Sequence, residues 1–271
     1  MRICAVLMGL LCTTCCLAAP KIFPYCVKAS PAELKALGYD GCEIPFVVGP
    51  ELEQRIRAAD AAQMVIGKTY ITHDLRKPFP LEKLERFMRA LHGRATVIEL
   101  VFTGYPAGAA EGVEPTVNLL KQIGALAHTY QLRVALYNHV NTYCESLAFA
   151  IDIVNKVDLP EVGYAFIVCH WLHREGARDY RPLLTANPSK LFMVGISGAR
   201  VALKGWNNLI CPLDEGDFDC ARVLQTLNAL NYRGMVGLQC YGIQLPEREH
   251  LQRSMTAWKA LTSTDEQGGK Q

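Results

Sequence analysis

Tyr137, Asn138 and His139 follow one another as a phenol, an amide and an imidazole. Side chains alternate in direction along an extended chain, so Tyr137 and His139 share one face. A second imidazole, His170, ends the apolar run Gly163–His170, with Trp171 and His173 just beyond it. Glu99 places a carboxylate inside the apolar run Thr96–Thr103. Gln239 and Tyr241 stand at the end of the run Met235–Cys240. Imidazole titrates near neutral pH, so a His with a carboxylate partner can act as general acid and base. His139, His170 and Glu99 are therefore the candidate catalytic groups. Tyr137, Trp171, His173, Gln239 and Tyr241 are the candidate ligand contacts, offering ring faces and hydrogen bonds.

Each of these has a plainer alternative. A His at a strand end is commonly a hydrogen-bonded structural residue. A buried Glu99 can simply pair with Lys68 or with an Arg across the fold. The acidic run Asp214–Asp219 reads as a capping loop, with Asp217 or Asp219 feeding a helix N-terminus. Ser197-Gly198 offers backbone N–H groups of the kind that bind phosphate. Arg174, Arg178 and Arg181 read as a solvated face.

Groups this far apart in sequence meet only if regular elements carry them to one place. From Lys21 onward, short apolar runs alternate with longer amphipathic ones. The former read as buried parallel strands and the latter as covering helices. The expected strands are Ile22–Val27, Gly41–Phe46, Val65–Thr72, Thr96–Thr103, Arg133–Val140, Gly163–His170, Leu191–Ile196 and Met235–Cys240. The expected helices are Pro31–Leu37, Pro50–Met64, Pro80–Leu91, Glu114–Tyr130, Glu145–Val157, a short one near Tyr180–Leu184, Asp219–Leu230 and His250–Leu261. Ser30 is the expected N-cap of the first helix and Pro31 its first residue. Eight such units in one α/β chain predict a single (β/α)8 barrel over residues 21–263, with the candidate side chains around its C-terminal mouth. A doubly wound open sheet is the competitor. It would need a topological switch and usually a Gly-rich phosphate loop. No G-x-G-x-x-G or Walker loop follows the first strand.

The chain has 271 residues, half of them hydrophobic, with 28 basic against 26 acidic side chains. That composition excludes a disordered or fibrous chain. Without a basic excess to neutralise phosphates, no nucleic-acid partner is expected. Met1-Arg2 followed by the apolar stretch Ile3–Leu17 reads as a secretory signal peptide over residues 1–18. The mature protein is expected to be exported, to a periplasm or the exterior, with no membrane anchor after cleavage. Residues 264–271 form a polar tail. Of the eleven cysteines, Cys26, Cys42, Cys144, Cys169, Cys211, Cys220 and Cys240 lie beyond the signal. An odd number leaves at least one free thiol, and a disulfide among the rest cannot be assigned.

Three segments carry a family likeness. Leu37-Gly38-Tyr39-Asp40-Gly41-Cys42-Glu43-Ile44 resembles the lead-in to the second strand of xylose isomerase-like barrels. This is the sugar phosphate isomerase/epimerase superfamily, which also contains AP endonuclease IV-type enzymes. The stretch 212–219 resembles its loop before the seventh helix, and 227–239 its closing helix, turn and strand. The resemblance implies a divalent metal at the barrel mouth, polarising a sugar carbonyl and hydroxyl while carboxylates move a proton between adjacent carbons. It also implies four ligands: a Glu ending strand five, an Asp ending strand six, a His ending strand seven and a Glu ending strand eight. Here Tyr137 stands at the first position and Gln239 at the last. The Asp position falls on Ile167 or on His170, depending on which histidine follows it, and no His lies near Val194–Ser197. Oxygen-rich metal sites need anionic ligands to offset desolvation of the ion. No metal and no other cofactor is therefore expected. The expectation is a sugar isomerase- or epimerase-like protein, or a lyase, acting on or binding a small carbohydrate at the mouth without the metal. The alternative is a non-catalytic carbohydrate-binding barrel.

Overall fold

The computed structural model describes residues 20–203 and 205–263. The expected signal peptide and the tail 264–271 lie outside the described residues. Its elements are β1 (Ile22–Tyr25), α1 (Pro31–Ala36), β2 (Gly41–Glu43), α2 (Pro50–Ala61), β3 (Val65–Asp74), α3 (Leu81–Ala90), β4 (Val97–Thr103) and α4 (Val113–Thr129). They continue as β5 (Arg133–Leu136), α5 (Leu147–Val157), β6 (Val162–Ile167), α6 (Val168–Glu175), α7 (Arg181–Ala186), β7 (Leu191–Ile196), α8 (Cys220–Ala229), β8 (Val236–Gln239) and α9 (Glu247–Ser263).

Eight strands lie in the order β1-β8-β7-β6-β5-β4-β3-β2, and every pairing is parallel. The two ends of that order meet at Asp40. Its N–H donates to Ile22 O at 2.9 Å, and its carboxylate accepts the Ile22 N–H at 3.0 Å. One aspartate thus bridges β1 to the start of β2, and the sheet is a (β/α)8 barrel with no open edge of the doubly wound kind.

The interior is filled from β1. Phe23 and Tyr25, two residues apart, are both buried among the strands. Glycines opposite make the room. A Cβ at Gly67 would come within 2.7 Å of the Phe23 ring, and one at Gly237 within 2.7 Å of the Tyr25 ring. Helices are set by local chemistry. Ser30 and Glu33 form a reciprocal capping box on α1, with Pro31 in its first turn. Asp219 caps α8 by accepting the Arg222 N–H. Asp217 instead accepts the N–H groups of Val201 and Ala202, so the acidic run is a capping and loop-binding segment.

Several expected strand ends change, and the first two strands stop at Tyr25 and Glu43 rather than at Val27 and Phe46. The sixth strand ends at Ile167, and Val168 opens α6, so His170 does not end a strand and His173 is not in a loop. The run from Val162 to Leu172 is buried throughout, and an unbroken apolar stretch does not distinguish strand from buried helix. The fifth strand also stops early. His139 N–H turns back to Tyr137 O at 3.0 Å, which takes it out of the ladder.

Candidate functional site

The C-terminal ends of the strands open into a cleft of about 1360 Å³. Tyr137, His139, His170, His173, Gln239 and Tyr241 line it. Tyr137 and His139 lie beyond the end of β5, and the turn between them, not strand alternation, brings their ring centroids to 5.5 Å apart. The His139 and His170 rings lie 4.2 Å apart, centroid to centroid.

One residue, Val140, orients both imidazoles. Its carbonyl can only accept, so the His139 Nδ1 at 2.8 Å must carry the proton. Its N–H can only donate, so the His170 Nδ1 at 3.2 Å must be bare. The neutral His170 then holds its proton on Nε2 and donates it to the Tyr137 hydroxyl at 3.1 Å. His139 is left with an unprotonated Nε2. Burial, aided by the Lys68 charge, lowers the His139 pKa below the ordinary histidine range. His170 is pushed down to about 2, first by burial and then by His139, His173 and Lys68. Both rings are therefore neutral at pH 7. Burial raises the Tyr137 pKa well above that of a free phenol, so it keeps its proton. Since its oxygen accepts from His170, its own O–H is a spare donor.

Lys68 sits below this group, 1% exposed. Its Nζ lies 2.6 Å from Glu99, 3.8 Å from Glu43 and 3.5 Å from the centroid of the Tyr25 ring. Burial alone would favour the neutral amine, but Glu99 and Glu43 outweigh it and raise its pKa. Glu99 is itself fully buried and does not line the cleft, so the expected catalytic carboxylate serves Lys68 instead. The plainer Lys68 pairing is the one observed. Glu43 lines the rim and accepts the Cys26 N–H at 3.1 Å. The Cys26 thiol, also on the cleft, is pushed up to about 11 by burial and Glu43, which makes it a poor nucleophile.

Trp171 does not reach the cleft. It stands on the far side of α6, against Phe166 and Tyr180, with its indole N–H on Arg178 O at 3.3 Å. A different indole takes that place. Trp206 lines the cleft with its ring 5.1 Å from His170 and 5.4 Å from His173. Sequence reasoning missed Trp206, Tyr70 and the central place of Lys68. The signals were there: an indole in a polar Gly-Trp-Asn-Asn loop, and a lone Lys two residues from Tyr70 in an apolar strand.

The other polar candidates are spent. Gly198 exchanges backbone hydrogen bonds with Cys211, so its N–H is not offered to phosphate. Arg174, Arg178 and Arg181 pair with Glu145, Glu175 and Asp179 near the surface. All seven described cysteines are free thiols.

The donor set does not fit a divalent metal. Gln239 Oε1 accepts the Tyr241 N–H, both His170 nitrogens are bonded, and both nearby carboxylates face an ammonium. Among the described residues, no group of three or more His, Cys, Asp or Glu side chains could hold a metal ion.

The family profile described as xylose isomerase-like TIM barrel matches residues 31–261. No curated protein matches the sequence. Among solved structures, the IOLI protein with a binding zinc atom is 15% identical, covering 90% of this chain and 98% of that one, with a TM-score of 0.70. The 3-keto-D-glucoside 4-epimerase YcjR from E. coli is 19% identical over 91% of this chain and all of that one, with a TM-score of 0.67. D-Psicose 3-epimerase with D-tagatose, from Clostridium cellulolyticum H10, is 14% identical over 86% and 91%, with a TM-score of 0.65. At such identities the likeness is one of fold.

Proposed function

The chain belongs to the xylose isomerase-like TIM barrel family, and from that premise we propose that it binds a carbohydrate at the barrel mouth and moves a proton on it without a metal. The observation that carries this reading is the unprotonated His139 Nε2, aimed by Val140 and standing beside the spare Tyr137 O–H. The epimerases among its structural neighbours support a sugar as the ligand.

The chemistry follows from those two groups. His139 Nε2 takes the proton from a carbon next to a sugar carbonyl. Electrons move onto the carbonyl oxygen, which accepts a hydrogen bond from Tyr137. Return of the proton from His139 to the former carbonyl carbon, while the adjacent hydroxyl gives up its proton and the carbonyl oxygen takes one up, gives an isomer with the carbonyl moved by one carbon; return to the original carbon from the same side regenerates the sugar with a solvent-exchanged hydrogen. The Lys68 ammonium adds positive potential beneath the site. His170 is a positioning residue, because both its nitrogens serve the protein. Tyr70, Trp206 and Tyr241 supply ring faces for the sugar.

One observation favours a second reading, a carbohydrate-binding barrel without turnover. Glu43 and Glu99 both face Lys68, so His139 stands without a carboxylate partner. Solvent deuterium separates the two. In D2O, a sugar that binds the protein should gain deuterium next to its carbonyl. His139→Ala should stop this at least a hundredfold while retaining binding within about threefold. Binding without exchange in the wild-type protein would overturn the catalytic reading.

A further inference from the structure

The cleft has a second lobe that the chemistry at His139 does not use. From the barrel mouth it continues over the β1–α1 connection to α2. Its volume of about 1360 Å³ exceeds the roughly 300–1,000 Å³ of pockets that enclose drug-sized ligands. One wall is a helical stripe. Glu51, Gln54, Arg55 and Ala58 line the cleft at i, i+3, i+4 and i+7, which puts them on one face of α2. All four are exposed. Val27 and Phe46, both partly exposed, add apolar surface to the same lobe. An apolar patch beside a row of hydrogen-bonding side chains suits a sugar ring, which has both kinds of face.

The charges decide what kind of sugar. Arg55 gives its Nε and Nη2 to Glu51 at 3.2 and 2.9 Å. Lys68 is committed to Glu99 and Glu43. Glu51 offsets the Arg55 charge, and Glu99 and Glu43 that of Lys68, so neither cation presents a net positive charge to a phosphate or a carboxylate. Lys28 lines the rim but is exposed, where a single solvated ammonium holds an anion weakly.

We propose that the cleft takes an uncharged glycoside at least two sugar rings long. One ring sits by Tyr137 and His139 and the next lies along the α2 stripe. This rests on the carbohydrate reading above and adds length and charge to it. Calorimetric titration tests both additions. The probes are D-glucose, D-galactose, D-fructose, glucose 6-phosphate, and the neutral disaccharides maltose, cellobiose, lactose and trehalose. The best disaccharide should bind at least tenfold tighter than the best monosaccharide, and glucose 6-phosphate no tighter than glucose. Ala58→Trp, a bulky side chain at an exposed helix position, should abolish the disaccharide gain and leave monosaccharide affinity within twofold. Gln54→Ala should cost the disaccharide three- to tenfold and the monosaccharides nothing. If monosaccharides bind and disaccharides bind no tighter, or if Ala58→Trp affects both equally, the two-ring proposal falls and the carbohydrate reading stands. Tighter binding of the phosphate overturns the uncharged substrate class. If no neutral sugar binds, both readings fall together.

Discussion

Val140 decides what the two histidines do. Its N–H and C=O, one a donor and the other an acceptor, impose opposite protonation patterns on His170 and His139. One imidazole becomes a spacer that aims a phenol, and the other keeps an unprotonated Nε2. The cost of keeping His170 neutral appears in the stability of the protein. Its folded pKa, about 2, lies below the roughly 6.5 of an unfolded histidine, so the folded state binds fewer protons. The stabilisation is complete above about pH 6.5 and is lost as pH falls toward the folded value, by up to about 1.4 kcal/mol per pH unit. Urea unfolding at pH 7.0 and 5.5 should show wild-type protein losing about 1 kcal/mol more than His170→Gln. Parallel losses would mean that His170 is protonated in the fold. At this scale the sequence was partly legible. The nearness of Tyr137 and His139 was read from strand alternation, but a turn just beyond β5 produces it. The tautomers were not legible, because they depend on a peptide group whose orientation arises only when the chain leaves the fifth strand. Lys68 was visible as a partner for Glu99, but not as the charge beneath the site, since which residues of neighbouring strands meet depends on register.

The elements place these groups by a division of labour within each strand. β1 fills the barrel with Phe23 and Tyr25, and the glycines of β3 and β8 yield the space. Gly67→Ala should therefore cost about 1–3 kcal/mol, because its Cβ has nowhere to go but into the Phe23 ring. Chemical denaturation of Gly67→Ala with and without Phe23→Leu checks this. The second substitution should recover part of the loss, and strictly additive costs would refute the pairing. Strand and helix order was readable from periodicity because apolar and amphipathic runs alternate along the chain, and some helices carry their own start signals, as Ser30, Pro31 and Glu33 do for α1. The exception is informative. β6 runs into α6 without a turn residue between them, both buried, so nothing in the pattern marked Ile167 as the boundary. That one misplaced boundary turned Trp171 toward the cleft in the sequence reading, whereas helical spacing turns it away. The place at the mouth falls to Trp206, carried by the loop after β7.

At the scale of the whole molecule, the barrel gathers eight strand ends around one mouth, and its chemistry depends on what those ends carry. Where the family resemblance leads one to expect carboxylates and a histidine around a metal, this chain presents a phenol, an amide and neutral imidazoles around a buried ammonium. Such a set is suited to hydrogen-bonding and polarising a neutral ligand rather than to holding an ion. The central claim is thus that carbohydrate recognition at this mouth is independent of metal. Calorimetric titration of EDTA-dialysed protein with the neutral sugars named above, with and without added Mn²⁺, tests it most directly. Saturable binding at one site per chain is expected, with affinity unchanged within twofold by Mn²⁺. Binding that appears only after Mn²⁺ is restored would contradict it.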